Sequence, residues 1–216
     1  MILPNTVYFF TWLFIIKNLI LPSLVYKIDD KISRVWVETM SNNIVSQLLL
    51  AFSHHYDTQQ NYHFAGETFA GYGEFHSRGE KFVLVKKAQI WAAEAHDYLF
   101  IQYLPCLTAQ VLQAMIALLQ TQGIQKIQPH SEHMQSSLTL IVLTDRADDD
   151  SLSLCRKTKF HKSFRFGWYG WANLRLAVLD KTAQTVMTNR AGKDLSHFLT
   201  DFLTSDVVSH ERKGPL

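Results

Sequence analysis

The segment Leu138-Thr139-Leu140-Ile141-Val142-Leu143 constrains the fold more than any other part of the chain. A run this apolar lacks the alternation of a strand with one wet face, so it reads as a central strand buried on both faces. Such a strand needs neighbours in the sheet and covering layers above and below, which points to a sheet covered by helices.

The covering helices are legible from their periodicity. Ile44, Val45, Leu48, Leu49, Phe52 and Tyr56 recur at helical spacing and predict a helix over residues 43–56. Val111, Leu112, Met115, Ile116 and Leu119 predict a second near Thr108–Gln122, with Gly123 expected as its C′ residue. Asp148, Asp149 and Asp150 supply N-cap acids for a short helix through Lys157, and Leu195, Phe198, Leu199 and Phe202 mark a final one.

Between the first two helices the period changes. Tyr62–Arg78 is rich in glycine and aromatic residues and reads as strand, with a hairpin turn at Arg78-Gly79-Glu80. Strands are expected over residues 81–93 and 98–104, joined by a turn near Ala95-His96-Asp97, with Phe82, Leu84, Ala88, Ile90 and Ala92 on the core face. Leu174–Leu179 and Val186–Thr188 complete the set as a hairpin. The order α-β-β-β-α-β-α-β-β-α predicts an α/β (α+β) domain with a mixed, largely antiparallel sheet covered by helices. The first six elements follow the core order of the restriction-endonuclease-like fold. That fold's nuclease site needs an Asp and a Glu-x-Lys on adjacent strands to hold Mg²⁺. Of the acids Glu67, Glu74, Glu80 and Glu94, only Glu94-Ala95-His96 approximates that motif, at a strand end and with the wrong cation. Any such core is therefore expected without its active site.

Residues 1–39 stand apart. Ile2–Tyr26 is long enough to cross a bilayer, for which roughly 20 apolar residues suffice. Lys17, Asn18 and Pro22 interrupt it, and a signal peptide fits worse. The expectation is a single globular domain over residues 40–204, entered at Met40 and N-capped by Ser41-Asn42-Asn43, with a flexible tail over 205–216. Three readings stay open: the natural start is Met40, residues 2–26 anchor the chain as a single-pass membrane protein, or the segment is an extra helix packed on the domain. Two cysteines without a C-x-x-C neighbour suit reduced, packed thiols in the cytoplasm. The net charge of +2 implies no polyanionic partner for the molecule as a whole.

Two stretches carry chemistry. Pro129-His130-Ser131-Glu132-His133 sets two imidazoles and a carboxylate on a loop, where His130, Glu132 and His133 could ligate a divalent metal in a metal-assisted hydrolase. The spacing is not that of a zinc helix, and neighbouring loop side chains need not converge, so no metal and no other cofactor is expected. The second runs from Arg156 to Trp171 and alternates cations with large rings. Lys159, Lys162, Arg165, Trp168, Tyr169 and Trp171 could contact nucleic acid or an anionic surface through phosphate neutralisation and stacking. The bland alternative is a strand whose Phe160, Phe164 and Phe166 pack inward, with nearby Asp145 and Asp148–Asp150 offsetting the charge. No P-loop, dinucleotide fingerprint, G-x-S-x-G or thiol-redox motif is present, which disfavours those activities.

The phrases Lys86-Lys87-Ala88-Gln89-Ile90-Trp91-Ala92 with Glu94, Pro129-His130-Ser131-Glu132-His133-Met134, Lys162-Ser163-Phe164-Arg165-Phe166-Gly167 and Gly170-Trp171 resemble an uncharacterised family of small bacterial and archaeal proteins. Its members carry a single domain of unknown function. The resemblance covers about residues 43–195 and implies a cytosolic prokaryotic protein without implying an activity.

Overall fold

A computed structural model describes residues 43–81 and 91–211. The chain divides between residues 42 and 43. The described elements are α1 (residues 43–52), β1 (Asp57–Phe64), β2 (Glu67–Lys81), β3 (Trp91–Leu107), α2 (Ala109–Thr121), β4 (His133–Ala147), α3 (Asp149–Lys157), β5 (His161–Ser163), β6 (Trp171–Asp180), β7 (Thr185–Thr188) and α4 (Leu195–Glu211). The N-terminal apolar segment and the core face expected at Phe82, Leu84, Ala88 and Ile90 lie outside them. Among the described residues, no helix is long and apolar enough to cross a membrane.

The apolar run forms the middle of β4, which pairs in parallel with β3 on one side and β6 on the other. β1, β2 and β3 form an antiparallel meander, and six of the seven described strands follow the order β1-β2-β3-β4-β6-β5. β5 and β7 share the free edge of β6, pairing antiparallel with its two ends. The sheet is thus mixed and mostly antiparallel.

Alternation along β4 builds two cores. Leu138, Leu140 and Val142 meet α2 and α3 through Leu112, Ile116, Leu119 and Cys155. Ile141 and Leu143 meet α1 and α4 through Leu48, Leu49 and Leu199. Each fully buried aliphatic side chain contributes about 1.5–3 kcal/mol, so a strand with two buried faces anchors both layers. Thr108 caps α2, and Asp148 caps α3 through a 2.6 Å bond from the Ser151 amide, which holds the Asp148 carboxyl below its usual range. Cys155 and Cys106 are free thiols, and burial pushes the Cys155 thiol up to about 12.

Several expectations need correction. Ala95-His96-Asp97 is no turn: it lies inside the 17-residue β3. Its polar side chains find partners on the two sheet faces instead of solvent. Asp97 is buried and accepts from Tyr56 Oη (2.8 Å), Thr139 Oγ1 (2.7 Å) and Arg175 Nη1 (2.7 Å). Burial raises the Asp97 carboxyl above its ordinary value, against the pull of Arg175. Arg78-Gly79-Glu80 likewise continues β2, opposite Glu94, Ala93 and Ala92. The chain instead reverses at Ala65-Gly66, where both residues have positive φ. Gly123 does take the expected C′ place behind the Gln122 cap, but without left-handed backbone. A Cβ there would crowd Leu119 and Leu138 at 3.3–3.4 Å, so close packing explains the glycine. β5 is an extra short strand, and α4 continues helical past Ser205, into the expected tail.

Candidate metal centre

On the face shared by α2 and α3, the meander carries two Glu-x-His pairs. Period-two alternation puts Glu74 and His76 on one face of β2, and Glu94 and His96 on the same face of β3. The antiparallel register sets His76 directly opposite His96. The crossover through α2 then brings the loop before β4 over the end of β3, where the Glu94 amide donates to the Glu132 carbonyl at 2.9 Å.

Three ligand-type side chains converge there. Glu94 Oε2 lies 3.1 Å from His130 Nε2 and 3.7 Å from His96 Nε2. All three donor atoms fall within 4.8 Å of one another. Glu94 and His96 are mostly covered, with side-chain exposures of 18% and 17%, whereas His130 at 44% opens the cluster to solvent.

A hydrogen-bond chain fixes His96. His76 donates from Nε2 to Glu74 Oε2 at 3.3 Å, leaving its Nδ1 as an acceptor. His96 Nδ1 lies 2.7 Å from that atom and must supply the proton, so its Nε2 lone pair faces Glu94. Burial, followed by neighbouring His76 and His133, lowers the His96 pKa and keeps the ring neutral. Behind this chain, Lys126 Nζ bonds Glu74 Oε1 (3.1 Å) and Tyr62 Oη (3.0 Å) beneath the Tyr62, Tyr72 and Tyr98 rings. Burial works to raise Glu74, but bonds from Tyr72, Lys126 and His76 outweigh it and hold the carboxyl below its usual range.

Of the loop residues singled out in the sequence, only His130 joins the cluster. Both nitrogens of buried His133 are engaged: Nδ1 donates to the Tyr169 carbonyl (2.6 Å) and Nε2 accepts from Ser136 Oγ (2.8 Å). Its ring stacks parallel to His96 with centroids 5.8 Å apart. Glu132 is not among the converging donors. Glu94 and His96 replace the two, and the repeated Glu-x-His spacing was their signal.

The basic-aromatic stretch sits against the same corner. Phe160 and Phe164 pack on the core as the inward-facing alternative expected, but Phe166 does not. Phe166 and Trp168 are displayed, at 102% and 83% exposure, while Tyr169 and Trp171 are half-buried. Lys159, Lys162 and Arg165 are exposed. The acids expected to offset them are engaged elsewhere: Asp145 pairs with Lys181 at 2.9 Å and Asp148 caps α3.

A family model matches residues 40–201 of the chain. The chain belongs to the DUF8052 family, a domain of unknown function. The match leaves the apolar segment of residues 2–26 outside the DUF8052 domain. No curated protein matches the chain. No solved structure matches either, and the nuclease-like core of this DUF8052 chain stays an analogy of element order.

Proposed function

We propose that the domain binds one divalent transition metal through Glu94, His96 and His130 and uses a metal-bound water for hydrolysis. The observation that carries this reading is the convergence of Glu94 Oε2 and the two Nε2 atoms at 3.1 and 3.7 Å. Tetrahedral zinc with bonds of about 2.1 Å separates its ligands by about 3.4 Å, so these donors need little movement to close on an ion. Two imidazoles and a carboxylate make a donor set suited to zinc and its neighbours, and three protein ligands leave a position for water. An ion held by these residues would supply Lewis-acid chemistry, lowering the pKa of a bound water towards 7.

The chain's own residues prepare the site. The Glu74–His76 pair behind His96 is the outer-shell arrangement that orients a metal-bound imidazole and raises its basicity. His130 now accepts from the Glu132 amide at Nδ1 (3.3 Å), so its Nε2 carries the proton that bonds Glu94. For Nε2 to serve as a ligand, that proton would have to sit on Nδ1, and the 3.3 Å contact to the Glu132 amide would have to open. Two free cysteines suit a reducing compartment, and we place the protein in the cytoplasm.

Calorimetric titration of the full chain with Zn²⁺ tests the reading. One equivalent should bind the wild type. Glu94→Gln and His96→Ala should abolish binding, and Glu132→Gln should retain it. His76→Phe should weaken it by about 10–100-fold through the outer shell. Loss of binding in Glu132→Gln with retention in Glu94→Gln would refute the assignment.

A further inference from the structure

The loop of residues 164–170 is held in a costly conformation for the sake of what it displays. Arg165 (φ 45°) and Phe166 (φ 58°) are consecutive non-glycine residues in the left-handed region, followed by Gly167 (φ 91°) and Gly170 (φ 73°). Left-handed backbone is unfavourable for side chains with a Cβ, and such strain persists only where surrounding structure imposes it. Here five backbone bonds impose it, among them Phe164 N to Gly170 O (3.0 Å), Gly167 N to Phe164 O (2.9 Å) and Trp168 N to Arg165 O (3.1 Å). The loop is pinned to β4 by the His133–Tyr169 bond and by Gly170, which lies hard against the Met134 carbonyl.

The two strained non-glycine side chains, Arg165 and Phe166, are not buried. The loop sets Phe166 and Trp168 into solvent two positions apart, flanked by the exposed cations Lys159, Lys162 and Arg165. None of these cations has an ion-pair partner among the described residues. Arg165 instead lies over the Tyr169 ring at 4.8 Å, and Lys162 lies 5.9 Å from the Phe164 ring.

We infer that this loop binds single-stranded nucleic acid, with bases stacked on Phe166 and Trp168 and phosphates neutralised by Lys159, Lys162 and Arg165. Unpaired bases offer flat faces on which exposed rings can stack, whereas a duplex hides them. Stacking of that kind tolerates sequence, and cations flanking the rings match a charged backbone. A bilayer fits less well. The exposed apolar side chains of the loop amount to two rings, Phe166 and Trp168, a small area for holding a protein at a bilayer. The purpose of the bound strand, presenting a phosphodiester to the metal centre, rests on the reading proposed above. The binding itself does not need the metal.

The test therefore uses the full chain in EDTA, with fluorescence anisotropy of a labelled 12-nucleotide single strand, as DNA and as RNA. Phe166 and Trp168 are exposed, so Phe166→Ala and Trp168→Ala should fold normally, and circular dichroism checks this. Each is expected to lower affinity by roughly 5–100-fold, the range for loss of one stacked base. The log–log salt slope should be about −2 for three phosphate contacts on a single strand. It should approach zero when Lys159, Lys162 and Arg165 are all changed to Gln. Unchanged affinity in Trp168→Ala, or a wild-type slope near zero, overturns the inference. So does Trp168-dependent binding to phosphatidylserine vesicles with no oligonucleotide binding, which would make the loop a membrane contact. Because metal is absent throughout, failure here leaves the metal assignment standing, and failure of zinc titration leaves this one standing.

Discussion

Replacing Gly170 and Gly167 with alanine, separately, dissects how the aromatic loop is fixed to β4. Both glycines have positive φ, so each alanine carries the left-handed backbone cost of about 1 kcal/mol. Around Gly167 a new Cβ meets nothing within 4 Å. At Gly170 the same atom would fall 2.2 Å from Met134 O and 2.7 Å from His133 O. Those are backbone atoms of β4, which cannot swing aside, so the loop must lift. Lifting breaks the 2.6 Å bond from His133 to the Tyr169 carbonyl. His133 is only 3% exposed, and a buried donor left without its partner costs about 1–3 kcal/mol. Gly170→Ala should therefore cost about 3 kcal/mol against about 1 kcal/mol for Gly167→Ala. Urea unfolding followed by far-UV circular dichroism reads the difference as a shift in midpoint at constant m. Equal midpoints for the two variants would refute the close approach of the loop to β4.

Asn189 makes a second structural prediction. Its buried amide accepts from the Leu176 and Gly192 amides (3.0 and 2.8 Å) and donates to the Leu174 and Thr158 carbonyls (2.9 and 3.2 Å). Asn189→Ala orphans these groups and should lower unfolding free energy by about 2–4 kcal/mol, while Asn189→Asp, retaining only the acceptors, should also fall well below wild type. Alkaline pH supplies a third. The folded Cys155 thiol holds its proton up to about 12, and the unfolded thiol releases it from about 9. Unfolding then releases a proton, so stability is full below pH 9 and declines above it, by about 1.4 kcal/mol at pH 10. Denaturation at pH 8 and 10 should show that decline in the wild type and lose this part of it in Cys155→Ala; Tyr56, Tyr72, Tyr98 and Tyr103, also raised by burial, already add a share at pH 10, and that share persists in Cys155→Ala.

The elements whose burial is local in sequence were legible. The run from Leu138 to Leu143, apolar but for Thr139, announces a strand with two buried faces, and Leu112, Ile116 and Leu119 announce a helix face, because each pattern needs only its own periodicity. The site was not legible, because it depends on register. His96 and Asp97 look like a turn in the sequence, being polar residues between two apolar runs, and Glu94 looks like the end of the strand before it. Only pairing with β2 and β4 gives them partners: His76 opposite His96, and the loop before β4 above Glu94. His130, Glu132 and His133 looked like one set because they are neighbours. Yet the start of β4 turns His133 into the core while His130 stays on the loop. The aromatic loop failed for a different reason. Alternation assumes extended backbone, and Phe166 leaves the pattern because it and Arg165 adopt the left-handed region.

The most direct measurement is anomalous diffraction at the zinc edge from crystals of the full chain grown with Zn²⁺. The account predicts a single strong peak about 2 Å from a Glu94 carboxylate oxygen and from Nε2 of His96 and His130, with His133 still bonded to Ser136 and Tyr169. Zinc held by His130, Glu132 and His133 instead, or no peak between Glu94 and His96, would contradict it.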